Sequence, residues 1–286
     1  MAERQRRRVG GAVVAVGVVV GVCLGSSGCS GTGAAAEDDR AGDPVEVLHR
    51  AADTLVSAGS SKARTSMEMA TGGTRVTIRG EGVYDFRERL GHLKVQLPQD
   101  PAGSSEHRPI TELLAPGALF MKNRGAGVPA DKWVRVDTGT LSDGNLVTGG
   151  ATDPLAAAEV LRGTRTATYV GRTEVAGIAV RHYRGTADLV RAARDASAAN
   201  KGPLAAAAKG FATAEVPFDV YLDDEGRIRK VRHRFSFVSG ERSGEGERRE
   251  ESVAVASTTL LYDFGAAADV RLPAADDIYA GKIAEE

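Results

Sequence analysis

Two cysteines are the residues whose placement most directly suggests chemistry. Both lie in the stretch VGVCLGSSGCSG, at positions 23 and 29, and the chain holds no other cysteine. Cys29 follows a cluster of small residues at the end of an apolar run. Because the rest of the chain offers no thiol, it carries neither a disulfide framework nor a thiol nucleophile. We therefore expect Cys29 to be a site of covalent attachment.

The residues before Cys29 have the layout of an export signal. MAERQRRR carries four arginines, and the following run, VGGAVVAVGVVVGVCLG, has no charge. A basic start, a short apolar stretch and small residues at its end are typical of a secretory signal peptide. A membrane-spanning helix needs about 20 apolar residues, more than this glycine-interrupted run supplies. A retained N-terminal anchor helix is the alternative.

The last four residues of the signal, SSGC, resemble a bacterial lipobox, in which the cysteine receives a diacylglycerol and becomes the first residue of the mature chain. Gly28 supplies the small residue before the cut, whereas Ser26 stands where the motif usually has Leu. Cys23 fits less well because Val22 would occupy the cleavage position. The resemblance implies removal of residues 1–28 and acyl chains such as palmitate on Cys29. The alternative is a non-lipid cleavage site at which Cys29 is an ordinary residue.

Two or more acyl chains anchor a protein stably to a membrane. We therefore expect the mature protein on the extracytoplasmic face of the cell membrane. The next segment, residues 29–42, contains no apolar side chain larger than Ala apart from Cys29 itself. This composition predicts a flexible tether that spans about 20 Å. Residues 43–286 are then expected to form a single domain.

Other catalytic and binding chemistry finds no support in the sequence. Nucleophile elbows, phosphate loops, zinc-protease motifs and dinucleotide fingerprints are absent, and the five histidines lack the spacing of a metal site. YLDDEG fits a hairpin turn better than a calcium loop. Removal of residues 1–28 leaves 33 basic and 37 acidic side chains, a balance without the basic character of nucleic-acid binding proteins. We predict that the protein is not an enzyme and has no metal site, no cofactor and no nucleic-acid partner. The sequence does not indicate which protein partner it has.

The periodicity of residues 43–286 indicates an antiparallel α+β fold. Asp43 and Asp153 each precede a proline and an apolar stripe, which predicts two capped helices. The Ala-rich stretch 188–211 predicts two short helices broken at Gly202-Pro203. Alternating strands fill most of the remainder, and their connections are hairpin-short. The predicted strands include 74–86, 91–97, 117–123, 132–137, two around the turn at 224–226, and a final strand from 252.

The strand blocks resemble the LolA-like lipoproteins of the LppX/LprG type, which carry lipids or glycolipids in an actinobacterial envelope. The resemblance runs from about Asp43 to Ile278 and departs in the insert 188–213 and in its low aromatic content. It implies an antiparallel sheet strongly curved into a half-barrel, with helices packed on its concave side and an apolar cavity between them. The segments that carry it are DPVEVLHRAADTLVSAGS, KWVRVD, DPLAAAEVL, VPFDVYLDDEGRIRKVRHRF and LYDFGAAADVRLP.

If the apolar side of each strand faces the helices, ten residues are candidates for the cavity wall. Any one of them also fits ordinary core packing. Two functions follow, a lipoprotein that binds or carries a lipid or glycolipid, or a lipoprotein that acts as an interaction or sensor module. The candidate residues are Val76, Ile78, Leu93, Val95, Leu97, Phe218, Val220, Leu222, Phe235 and Phe237.

Overall fold

The computed structural model describes residues 42–71, 74–98, 108–123, 127–240 and 250–281. The predicted signal peptide, Cys29 and the tether up to residue 41 lie outside these ranges. Gly42–Glu286 forms one compact unit. This unit contains every helix and strand given below.

Eleven antiparallel strands form one open sheet, and the fold class expected from the sequence, a curved antiparallel α+β sheet with helices, is confirmed. The strand order is β6-β5-β4-β3-β2-β1-β11-β10-β9-β8-β7, so the first and last strands meet in the middle. The strands are β1 (Ser60–Thr71), β2 (Thr74–Asp85), β3 (Leu90–Gln96), β4 (Ile110–Ala115), β5 (Ala118–Lys122), β6 (Trp133–Asp137), β7 (Thr164–Val175), β8 (Ile178–Asp188), β9 (Glu215–Leu222), β10 (Ile228–Gly240) and β11 (Glu250–Tyr262).

Among the described residues, five short α-helices pack into one buried apolar cluster with the strands, and aspartates begin three of them. Asp43, Asp153 and Asp188 accept backbone N–H groups from the first turns of their helices, which satisfies donors that a helix end leaves free. The helices are α1 (Pro44–His49), α2 (Ala51–Ala58), α3 (Pro154–Val160), α4 (Leu189–Asp195) and α5 (Ala198–Gly210).

The break in the Ala-rich stretch lies earlier than the sequence suggested. α4 ends at Asp195 and α5 begins at Ala198, whereas Gly202-Pro203 lies inside α5. The backbone N–H of Ser197 donates to the buried carboxylate of Glu159 on α3 at 3.3 Å. This contact between distant segments places the break at Ser197. The prediction of a break at Gly202-Pro203 was therefore wrong.

A coil segment between β6 and α3, residues 138–153, also lies on the helix side of the sheet, and we call it the inner segment. Asp143 organises it by accepting the backbone N–H groups of Asn145, Val147 and Thr148 at 2.6–3.0 Å. Leu146 and Ala151 are fully buried. The inner segment is therefore part of the interior, although its composition is that of a surface loop.

Candidate functional site

The concave face of the sheet brings most of the predicted wall residues together. Six of the ten belong to one buried apolar cluster, and Ile78 and Phe237 pack against that cluster. Val76 is half-buried on β2. Leu97 lies just beyond the end of β3 and is 39% exposed, so it is not part of the buried set. The six buried residues are Leu93, Val95, Phe218, Val220, Leu222 and Phe235.

Alternation along the strands explains this clustering. On β9, Val216, Phe218, Val220 and Leu222 are buried, while the intervening Tyr221 is half-buried on the opposite face. Successive side chains of a strand point to opposite faces, so one face of β9 becomes continuously apolar. The interior wall predicted from the sequence is a contiguous surface in the fold, and whether it holds a ligand stays a prediction.

The cover over this surface touches it at several points. The ring of Phe211, just after α5, stacks on Phe235 with centroids 4.7 Å apart. Gly150 of the inner segment approaches Val95 and Ile78 so closely that a Cβ on it would lie 3.4 Å from each side chain. The gap between Gly150 and these side chains is therefore no wider than a methyl group. In this structure the inner segment fills the space over the central strands.

Side-chain hydrogen bonds hold the inner segment to the sheet. The hydroxyl oxygens of Thr152 and Ser257, the latter on β11, are 2.5 Å apart, and Thr152 Oγ1 also donates to the carbonyl of Leu146 at 2.8 Å. Because Thr152 has only one hydroxyl hydrogen, Ser257 must be the donor to Thr152. The recorded backbone hydrogen bonds of residues 139–152 run within the segment and to Asp137, not to the central strands.

The sequence analysis missed a group of polar side chains on the concave face. Thr65 on β1, Thr259 on β11 and His233 on β10 are at most 2% exposed, and Thr65 lies directly opposite Thr259. Thr65 Oγ1, Thr259 Oγ1 and His233 Nε2 have no hydrogen-bond partner among the described residues. An unsatisfied buried polar atom costs about 1–3 kcal/mol. The sequence contains one sign of this group: a threonine stands at a strand position whose side chain, by alternation, points toward the helices.

His233 is an uncharged member of this group. Burial lowers its pKa from the usual value of 6.5 to about 3. Its ring lies between those of Phe218 and Phe235, with centroids 6.5 and 5.8 Å away. The imidazole is therefore neutral in the physiological range and acts only as a hydrogen-bonding group.

A small cavity of about 30 Å³ lies between β2, β4 and the helices α3 and α5. Tyr84 and Asp153 line it, and the Tyr84 hydroxyl donates to the Asp153 carboxylate at 3.1 Å. Burial raises the pKa of both side chains, and the opposing hydrogen bonds from Leu155 and Ala156 do not reverse the shift of Asp153. The space suits roughly one water molecule.

An ion-pair network joins the helices that form the cover. Arg162, just after α3, donates to Asp53 on α2 at 2.6 Å and to the buried Glu159 at 2.6 Å. These hydrogen bonds raise the pKa of the Arg162 guanidinium above its usual range. The cover is therefore cross-linked within itself by side chains. Within the described ranges, no metal-binding cluster occurs and no helix has the length and apolar character needed to cross a membrane.

Comparison with known proteins gives matches among solved structures only, since no family model and no curated protein matches the chain. The structures include the lipoprotein LppX of Mycobacterium tuberculosis (8% identity, TM-score 0.44, covering 79% of this chain and 97% of LppX). They also include LprF of Mycobacterium bovis (12%, TM-score 0.39, 81% and 97%). A LolA-superfamily protein, NE2245 of Nitrosomonas europaea, is a third (10%, TM-score 0.32, 77% and 91%). LppX and the LolA superfamily are also the proteins that the sequence resembles.

Proposed function

We propose that this protein is a lipoprotein anchored through Cys29 to the extracytoplasmic face of a cell membrane, and that its interior opens to bind the acyl chain of a lipid or glycolipid. The observation that carries the proposal is the cover. A wide apolar sheet face is covered by short helices and by the inner segment, whose residues 139–152 are held to the central strands by a side-chain hydrogen bond and not by backbone hydrogen bonds. Such a layer can separate from the sheet without breaking the strand pairing.

The energetics of the exchange favour an acyl chain. Each buried methylene contributes about 0.8 kcal/mol, so a 16-carbon chain gains roughly 12 kcal/mol on leaving water. Displacing the inner segment exposes Leu146 and Ala151, both fully buried here. Exposing these two side chains costs only a few kcal/mol, which offsets a small part of the free energy gained by burying the acyl chain. Binding therefore requires no catalytic residue, which agrees with the absence of catalytic motifs from the sequence.

The close packing of the interior favours a second function. The gap between Gly150 and the side chains of Ile78 and Val95 is no wider than a methyl group, and the cavity beside Asp153 has a volume of only about 30 Å³. A lipoprotein with a permanently filled interior would act through its surface, as an interaction or sensor module. The two functions differ in whether the inner segment leaves the sheet.

A disulfide lock distinguishes the two functions. The oxygens of Thr152 and Ser257 are 2.5 Å apart, so sulfur atoms in their places lie within reach of a disulfide bond. The double variant Thr152→Cys/Ser257→Cys of the full chain, purified from host membranes, is incubated with 1,2-dipalmitoylglycerol and examined by native mass spectrometry. We expect the lipid adduct in the reduced protein and its loss in the oxidised protein.

The single variants Thr152→Cys and Ser257→Cys are the matched controls, because they report any side reaction with Cys23 or Cys29. Both should bind the lipid in either redox state. Equal lipid binding by the locked and unlocked double variant contradicts opening at the inner segment. No adduct in any form, wild type included, contradicts lipid binding and favours the interaction module.

A further inference from the structure

Three of the unpartnered buried polar atoms of the concave face belong to Thr65, Thr259 and His233, and they lie close together. Thr65 and Thr259 are directly opposed on β1 and β11, and His233 faces Ser257, the next inward residue along β11. Directly opposed residues have Cβ atoms about 5 Å apart, and inward neighbours along one strand are about 7 Å apart. The three side chains therefore form one patch, which we call the polar floor.

The polar floor lies under the inner segment. Gly80 on β2 is paired with Thr65, and a Cβ on Gly80 would lie 2.6 Å from Thr65 Oγ1 and 3.2 Å from the Cβ of Ala151. Ser257, beside His233, is hydrogen-bonded to Thr152 of the same segment. The inner segment therefore lies over Thr65 and over Ser257, the residue paired with His233.

The residues in the same row as the polar floor are apolar, so a buried hydroxyl there is unfavourable. Val231 and Val95 occupy the same row of paired residues as Thr259, Thr65 and Gly80, and both are fully buried. Valine has the shape of threonine without the hydroxyl and suits a buried strand better. Packing in the closed form therefore does not explain a threonine at either place.

The charges on this side of the sheet restrict that partner. Buried acidic side chains on the described concave side include Glu112 on β4, Glu159 on α3 and Asp143 of the inner segment. Arg162, a cation of the cover, is engaged with Asp53 and Glu159. Acidic side chains on this side disfavour a ligand carboxylate or phosphate at the floor.

We infer that Thr65, Thr259 and His233 form a hydrogen-bonding subsite that holds an uncharged polar group, such as a hydroxyl or an ester, of the lipid bound in the interior. The inference rests on the proposed function and adds a position and a chemical class to it. The two hydroxyls both donate and accept, and the imidazole Nε2 donates or accepts according to its tautomer. The subsite therefore suits a group that does both.

Three ligands with the same 16-carbon chain test this subsite. Hexadecane has no polar group, 1-hexadecanol has an uncharged one, and palmitate has a charged one. Their competition for the full chain is measured by native mass spectrometry. We expect wild type to prefer hexadecanol at least tenfold over both others, and Thr65→Val/Thr259→Val to reduce the preference over hexadecane to about one. The double variant should melt no lower than wild type, because the removed hydroxyls have no partner in the closed form.

Thr258→Val is the matched control, since Thr258 neighbours Thr259 on β11 but points to the other face. It should keep the wild-type preference, and so should Thr65→Ser and Thr259→Ser, which retain the hydroxyls. If the double variant does not fold, the single Val variants are compared with these Ser variants. Equal binding of hexadecane and hexadecanol by wild type overturns the subsite and leaves the proposed function intact. Binding of none of the three ligands contradicts both.

Discussion

At the scale of the residue, the interior of this protein departs from an ordinary core at a few atoms. Most inward side chains are apolar and fully buried, but His233, Thr65 and Thr259 are not satisfied by the described residues around them. Buried polar groups are nearly always paired, because an unpaired one weakens the fold. These positions are therefore where substitutions should separate stability from function.

His233 gives a test through pH. Its pKa is about 3 in the folded protein and about 6.5 when exposed, so below pH 6.5 the unfolded chain binds a proton that the folded chain does not. As the pH is lowered from 6.5 to 3, this difference reduces the free energy of unfolding by about 1.4 kcal/mol per pH unit. His233→Leu should lack this contribution, so between pH 7 and pH 4 wild type should lose about 3 kcal/mol more than the variant in urea unfolding. Parallel pH profiles would show that His233 is not buried as a neutral group.

Strand alternation allowed the sequence to predict which residues turn inward. It identified Leu93, Val95 and Phe218 correctly as members of one apolar face, because the side-chain period of two is a local property. Alternation could not predict the polar floor. Which polar atoms lack partners depends on what lies across the interior, and that is decided by segments far away in the chain.

At the scale of the element, the inner segment shows how tertiary contacts override composition. Residues 138–153 are rich in Gly, Thr and Asp, and such a stretch indicates an exposed loop. In the fold its glycines allow close approach to other elements, since Gly144 lies against α5 and Gly150 against β2 and β3. The sequence predicted the capped helix α3 that follows the inner segment because caps are local, whereas the burial of this loop depends on packing.

Gly144 tests how tightly the inner segment is held by α5. Its φ is +59°, and a Cβ there would lie 2.0 Å from the carbonyl oxygen of Pro203. Gly117 has a similar φ of +71° with nothing within 4 Å of its missing Cβ, so Gly117→Ala is the matched control for backbone strain. Gly117→Ala should cost about 1 kcal/mol. Gly144→Ala should cost about 3 kcal/mol more, because a backbone atom must move.

Urea unfolding of the two variants measures this difference. Equal costs would indicate that the inner segment shifts freely away from α5. That result would weaken the view that α5 and the inner segment move as one layer. It would leave the disulfide lock between Thr152 and Ser257 as the independent test of opening at the sheet.

At the scale of the whole molecule, one long-range strand pairing joins the two halves of the sheet. β1 pairs with β11 from Lys62–Tyr262 to Ala70–Ala254, while the pairs on either side of it are hairpins or near neighbours in the chain. The hairpin turns, such as the one at Gly226, could be recognised locally. The β1–β11 pairing could not, because nearly two hundred residues separate its strands. The antiparallel fold class was therefore predictable and the strand order was not.

Attachment to the membrane is the remaining property of the whole molecule that the sequence predicts, and it concerns Cys29, which lies outside the described residues. If Cys29 carries the lipid, Cys29→Ala should lose incorporation of radiolabelled palmitate completely, because no other cysteine fits the motif. Cys23→Ala is the matched control: it removes the other cysteine of the chain, lies inside the segment to be cleaved, and should leave labelling unchanged. In both wild type and this control, the intact mass should correspond to a mature chain that begins at Cys29.

The same pair of variants separates lipid anchoring from the alternatives. A retained anchor helix would keep Cys29→Ala in the membrane fraction without any palmitate label, and wild type would then start at Met1 and lack the label as well. A non-lipid cleavage site would give unlabelled wild type with a shortened mass. Labelling that persists in Cys29→Ala would contradict the assignment. Labelling of wild type and Cys23→Ala alone supports Cys29 as the lipid-modified residue and the start of the mature chain.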